Sequence, residues 1–269
     1  MEYISITNNE KIAQYFESSG IDNIMVDLEI IGKQERQKGL NTVISAHDIE
    51  DVYKIKSCLT TSKCLVRINP IHQGSKTEIE EVIKRGADII MLPMFKTVEE
   101  VEFFITIIGD RTQKYLLLET PQALTRVDEI IAIKNIDAIH IGLNDLSIGM
   151  GLDFLYEPLI GGLVEYIAKK FCSKDIKFGI GGVSRIEKSK NILSEHYRLG
   201  SRMVILNRDF RYYKEDYEEI ITTCDLKKEV QKIDSYLNSL EFATSEELLK
   251  NKKELFKEIK QQIVNIKIK

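Results

Sequence analysis

Eight short runs of β-branched and other apolar residues recur along this 269-residue chain, each followed by a longer stretch with apolar residues at helical spacing. The runs are Tyr3–Thr7, Ile24–Glu29, Cys64–Asn69, Asp88–Pro93, Tyr115–Thr120, Ala138–Leu143, Lys177–Gly181 and Met203–Asn207. Helical spacing is clearest in Glu78–Arg85, Val98–Ile108 and Ala123–Ile133. A repeating strand-then-helix unit brings each strand back parallel to the last, which calls for a parallel sheet. Eight such units close most naturally into an α/β fold of the (β/α)8 TIM barrel kind. Gly86 and Gly200 after helical stretches, and Pro121 after a strand, supply the expected stops and starts. A ninth strand-like run, Thr42–Ser45, is read as an excursion between the second strand and a helix at Ile49–Cys58.

The length suits one barrel with an addition, since such barrels run to about 250 residues as a single domain. We place the barrel at 1–224 and a C-terminal helical extension at 225–269. The extension is rich in lysine and glutamate, lacks glycine and proline, and carries Leu248, Leu255, Ile259 and Ile263 at helical spacing. A solvated helix would expose that stripe, so it is expected to pack on the barrel or on a neighbouring subunit of a homo-oligomer. A frayed terminus is the alternative.

With 43% hydrophobic and 30% charged residues the composition is that of an ordinary globular protein. The 38 basic residues are outnumbered by 42 acidic ones, leaving a formal charge of -4 and no field for a nucleic-acid backbone. No basic-then-apolar leader and no run of 18 apolar residues is present, so a cytoplasmic protein without membrane or nucleic-acid partners is expected. Cys58, Cys64, Cys172 and Cys224 are scattered, with neither disulfide nor zinc spacing.

In such a barrel the chemistry sits at the C-terminal ends of the strands. The polar residues there are Asp27 and Glu29, Arg67 and Asn69, Glu119, Asn144 and Asp145, and the turn Gly179-Ile180-Gly181-Gly182-Val183. Glu119 and Asp145 stand at adjacent strand mouths, and two carboxylates with waters and a bidentate substrate make an oxygen octahedron suited to Mg²⁺ or Mn²⁺. Each carboxylate alone reads equally as a helix N-cap or surface charge. Arg67 ends an apolar strand, where its fork fits a substrate carboxylate or an internal ion pair with Asp27 or Glu29. The glycines at 179, 181 and 182 would let backbone amides approach a phosphate or carboxylate, a weak signal. His140 and His196 read as structural, whereas His47 and His72 lie in loops placed where they could overlook the mouth and offer a base, with a surface or capping role the stronger reading for each.

The segments Leu116-Leu117-Leu118-Glu119-Thr120-Pro121-Gln122-Ala123 and Ile139-His140-Ile141-Gly142-Leu143-Asn144-Asp145-Leu146-Ser147, ending at Gly149-Met150-Gly151, resemble the HpcH/HpaI aldolase and citrate lyase β-subunit superfamily. Val26-Asp27-Leu28-Glu29, Val66-Arg67-Ile68-Asn69 and Gly86-Ala87-Asp88-Ile89-Ile90-Met91-Leu92-Pro93-Met94 resemble it too, in the same order, over roughly residues 3 to 210. The resemblance implies a metal on Glu119 and Asp145, a substrate carboxylate on Arg67, backbone contacts from Gly142, Leu143 and Asn144, and a metal-stabilised enolate. It also implies a C-terminal helix that packs on a neighbouring subunit.

Two departures bear on activity. Aldolases of this family place a histidine directly after the Asp-x-Glu, where this chain has Ile30. Their Arg-Gly-containing loop is absent, because only Gly109 to Lys114 separate the helix from the fifth strand. Asp27-Leu28-Glu29 with Lys33 and Arg36 looks more like the citrate lyase and malyl-CoA lyase branch, although no basic loop for a CoA tail is evident. The expectation is a metal-dependent carbon–carbon lyase or aldolase acting on a small 2-oxo or hydroxy acid, with Arg67, Asp27 and Glu29 as catalytic candidates. The alternatives are an acyl-CoA lyase and a barrel that binds a metabolite without turning it over.

Overall fold

A computed structural model describes residues 1–33, 47–210 and 216–268. Strands β1 (Glu2–Ile6), β2 (Asn23–Asp27), β3 (Lys63–Arg67), β4 (Ile89–Leu92), β5 (Gln113–Leu118), β6 (Ala138–Ile141), β7 (Phe178–Val183) and β8 (Met203–Leu206) form a closed parallel barrel in sequence order. Each strand lies within its expected run or overruns it by one or two residues. The expected Thr42–Ser45 strand and Arg36 lie outside the described residues.

The helices in chain order are α1 (Glu10–Ser18), α2 (Ile49–Cys58), α3 (Ser75–Lys84), α4 (Val98–Ile108), α5 (Pro121–Leu124), α6 (Val127–Ile130), α7 (Leu143–Gly149), α8 (Glu157–Ile160), α9 (Leu163–Ser173), α10 (Ile186–Leu199), α11 (Tyr217–Thr223), α12 (Leu226–Ser239) and α13 (Ser245–Ile268). Local chemistry starts several of them. Asp48 and Thr97 close capping boxes on α2 and α4, while Gly200 ends α10 at φ +87°. The expected helix at 123–133 divides into α5 and α6, because Thr120 caps the first and Arg126 breaks from helical geometry before the second.

Alternation along the strands makes two cores. Ile4, Met25, Leu65, Ile89, Met91, Tyr115, Leu117, Ala138 and Met203 fill the barrel, and a larger set joins the strands to the surrounding helices. At the N-terminal end, Glu2 accepts from Tyr115 Oη at 3.0 Å and Asn23 Nδ2 at 2.6 Å and pairs with Lys177, which closes the floor. That leaves the opposite end as the mouth.

The extension folds back onto this chain's own barrel. Tyr3 Oη donates to Asp234 on α12 at 2.6 Å, and Lys252 on α13 pairs with Glu165 on α9 at 2.6 Å. Leu255 and Ile259 of α13 are buried, so the apolar stripe read from the sequence meets the barrel helices. Among the described residues no helix is long and apolar enough to cross a membrane.

Two histidines lie wholly inside. Burial, with the Arg67 charge, pushes His140 down to about 4 against the pull of the Gly181 carbonyl, and burial pushes His196 down to about 3. The unfolded rings take up protons near pH 6.5 while the folded ones stay neutral, so stability falls as pH drops below that value. Each ring contributes a slope of up to about 1.4 kcal/mol per pH unit between roughly pH 6 and 4. Denaturant unfolding at pH 7 and pH 5 should show a lower midpoint at pH 5, with a smaller drop in H196N; equal midpoints would contradict this.

Candidate active site

The last residue of β2 and the last residue of β3 meet across the mouth. Arg67 donates through Nε and Nη2 to the two oxygens of Asp27, at 2.8 and 2.7 Å. Lys33 reaches the same carboxylate at 2.7 Å, and both cations flank Glu29, Arg67 Nη1 at 3.5 Å and Lys33 Nζ at 3.7 Å. Burial alone would raise the Asp27 carboxyl, but Arg67 and Lys33 hold it well below the usual carboxylate range. Arg67 in turn is held fully protonated by Asp27 and Glu29 despite its burial. Both readings of Arg67 from the sequence therefore remain physically compatible: one edge of its fork is committed to Asp27, and a guanidinium has five N–H groups to offer.

In the sequence Lys33 stands out only as a feature shared with the citrate lyase branch. The chain turns sharply after Glu29, with Gly32 at φ +71° and Lys33 N donating to Ile30 O at 3.3 Å, and this returns the lysine to the mouth. The same turn leaves Ile30, the position of the missing histidine, 61% exposed. Asn69 secures the turn: its side-chain oxygen accepts from Ile30 N and Ile31 N at 2.9 and 3.0 Å, while its amide nitrogen donates to Glu78 at 2.8 Å.

Neither loop histidine stands as an unengaged base. His47 Nδ1 accepts from the Asp27 amide at 2.9 Å. His72 accepts from Gly74 N at 3.0 Å and shares its other nitrogen with Glu78 at 3.1 Å.

Glu119 follows β5 and is buried, and Thr120, not Glu119, caps α5. Asp145 lies in the first turn of α7, whose N-cap is Gly142, so it too is not a cap. Burial pushes the Glu119 carboxyl well above its ordinary value, and the negative charges of Asp145 and Glu29 push it further. Arg67 and the Met94 amide, which donates to Glu119 Oε1 at 3.2 Å, oppose the rise. Met94 holds φ +53°, a conformation that costs of order 1 kcal/mol for a side-chain-bearing residue. A side chain at Gly142 is excluded as well, because its Cβ would stand 2.7 Å from Glu119 Oε2. Gly142, Leu143 and Asn144 thus bring backbone beside the two carboxylates.

Among the described residues, Asp27, Glu29, Glu119 and Asp145 gather at this mouth with Arg67 and Lys33, a carboxylate-rich set that would accept a divalent ion. Among the described residues no group of three or more histidine, cysteine or acidic side chains is arranged to hold a metal. Two carboxylates suffice for Mg²⁺, which keeps several waters and takes its remaining oxygens from substrate. The donor set therefore fits such an ion.

Two glycines of β7 meet a local structural demand. A Cβ at Gly179 would meet His140 Nδ1 at 2.4 Å, and Gly181 sits at φ +46°.

The family model described as HpcH/HpaI aldolase/citrate lyase matches residues 3–157. Among curated proteins none matches the chain. Among solved structures, an HpcH/HpaI aldolase from Desulfitobacterium hafniense DCB-2 aligns with a TM-score of 0.59 at 13% identity, covering 91% of this chain and 94% of that one. The citrate synthase SbnG aligns with a TM-score of 0.61 at 16% identity over 87% and 94%. RipC from Yersinia pestis aligns with a TM-score of 0.57 at 15% identity over 92% and 98%. At these identities the likenesses concern the fold.

Proposed function

The chain belongs to the HpcH/HpaI aldolase/citrate lyase family, and from that premise we propose that it is a divalent-metal-dependent carbon–carbon lyase or aldolase acting on a small 2-oxo or hydroxy acid. The observation that carries this reading is the closeness of two carboxylates, Glu119 and Asp145, beside a guanidinium at the open end of the barrel.

Glu119 and Asp145 would hold Mg²⁺ or Mn²⁺. When bound, the ion supplies Lewis-acid polarisation of the substrate's oxo or hydroxyl oxygen and offsets the charge that develops there. Arg67 binds the substrate carboxylate through the N–H groups it does not give to Asp27. Asp27, with both oxygens engaged, and Glu29, between Arg67 and Lys33, orient that guanidinium and keep it charged. The backbone from Gly142 to Asn144 closes the other side of the substrate, and the absence of a side chain at Gly142 keeps Glu119 in place.

Proton exchange at the pyruvate methyl group in D2O, followed by NMR, tests this reading. Exchange should require Mg²⁺ or Mn²⁺ and fall at least 100-fold in E119Q and D145N, while R67K should raise the pyruvate concentration needed at least tenfold. Exchange in both carboxylate variants would contradict the metal assignment. No exchange in the unaltered protein with either ion would favour an acyl-CoA lyase or a non-catalytic metabolite-binding barrel.

We further propose a homo-oligomer built through the C-terminal helices. The outward side of α13 leaves Leu249 and Val264 about half exposed among Lys253, Lys257 and Lys260, a surface suited to cover by a second copy. Replacing Leu249 and Val264 with glutamate should reduce the mass seen by light scattering to that of one chain; an unchanged multimer would count against this interface.

A further inference from the structure

His140 is the one residue of the barrel interior among those described whose ring nitrogen is buried without a partner, at Nδ1. Its other nitrogen, Nε2, lies 2.9 Å from the carbonyl oxygen of Gly181 on the neighbouring strand. A carbonyl only accepts, so Nε2 carries the proton and Nδ1 keeps a lone pair that nothing satisfies. Cores ordinarily avoid such a group. Room for the ring is made by Gly179, whose Cβ would stand 2.4 Å from Nδ1.

The carbonyl that His140 holds belongs to an irregularity in β7. Gly179 pairs with Met203 but Gly182 pairs with Ile205, so β7 spends three residues where β8 spends two. Gly181, at φ +46°, is part of this bulge, and the next carbonyl, that of Gly182, accepts from Tyr156 Oη at 3.3 Å.

An extra residue reverses the facing of everything after it. Met203 belongs to the core inside the barrel and Ile205 packs against it, so their partners Gly179 and Gly182 face inward. Val183 pairs with Leu206, and both lie in the outer core against the helices. Without the bulge, alternation from Gly179 would turn Val183 inward near the mouth and Gly182 outward.

We propose that His140 is a positioning residue for the substrate site: by holding the Gly181 carbonyl it fixes the bulge that places Gly182, and not Val183, at the inward-facing end of β7, leaving room there for a small carboxylic acid. The inference rests on the mouth being the substrate site proposed above. It makes Gly182 a determinant of substrate size and gives the glycine run a purpose in clearance.

The test uses oxalate, a planar acid of pyruvate's size, titrated calorimetrically into the protein with Mn²⁺ or Mg²⁺. H140L removes the donor at similar volume, whereas H140Q offers an amide N–H of similar reach. Oxalate should bind at least tenfold more weakly to H140L and within about threefold of the unaltered protein to H140Q, a rescue that loss of packing alone would not give. G182V adds a side chain at the inward position, its Cβ 3.3 Å from the Ile205 carbonyl oxygen, and should weaken oxalate at least tenfold in protein that circular dichroism shows to be folded, which keeps the proposal testable if H140L does not fold. Equal binding to H140L, or equal binding to G182V, would overturn the role assigned to that residue. Absence of oxalate binding to the unaltered protein with either ion would instead overturn the reading of the mouth itself.

Discussion

The ion pair between Arg67 and Asp27 is the interaction on which the mouth of this barrel depends. Two strands end on opposite charges, and the pair is buried, so each partner is costly without the other. Its geometry uses Nε and Nη2 against both carboxylate oxygens, which fixes the plane of the guanidinium. Everything else at the mouth takes its place relative to that plane. Lys33 adds a second cation to Asp27, Glu29 settles between the two cations, and Glu119 feels both Arg67 and the carboxylates around it.

Packing then removes the alternatives to this arrangement. Gly142 has no Cβ because Glu119 fills that space, and Met94 adopts a left-handed backbone that aims its amide at Glu119. These are local costs accepted to keep a carboxylate inside, short of positive charge. In the proposed reading such a site would be preorganised for a cation, since assembling like charges in the absence of one is the unfavourable part of the process. The same economy governs β7, where glycine at 179 admits His140 and the bulge exposes Gly182 at the mouth.

The barrel was readable because its signal is periodic. Eight apolar runs with helical stretches between them permit few topologies, and the strands formed where those runs lie. The expected helix at 123–133 came out as two short ones because the backbone breaks at Arg126, a local matter that apolar spacing does not encode. Strand ends pointed to Asp27, Arg67, Glu119 and Asp145, since a charged residue closing an apolar run is conspicuous. Lys33 was hidden by its distance from any strand: only the turn at Gly32 carries it back. Met94 resembles any loop methionine in sequence, and its role depends on a backbone angle. His140 reads as a core histidine, which it is, but its hold on Gly181 follows from a bulge that residue types alone do not announce.

The proposed metal site rests on Glu119 and Asp145, which would hold one divalent ion at the mouth. Calorimetric titration of Mn²⁺ into the unaltered protein and into E119Q measures this directly. One ion bound per chain, with binding lost or at least 100-fold weaker in E119Q, is the result the account requires. Binding of equal strength in both proteins, or no binding to the unaltered chain, would contradict it.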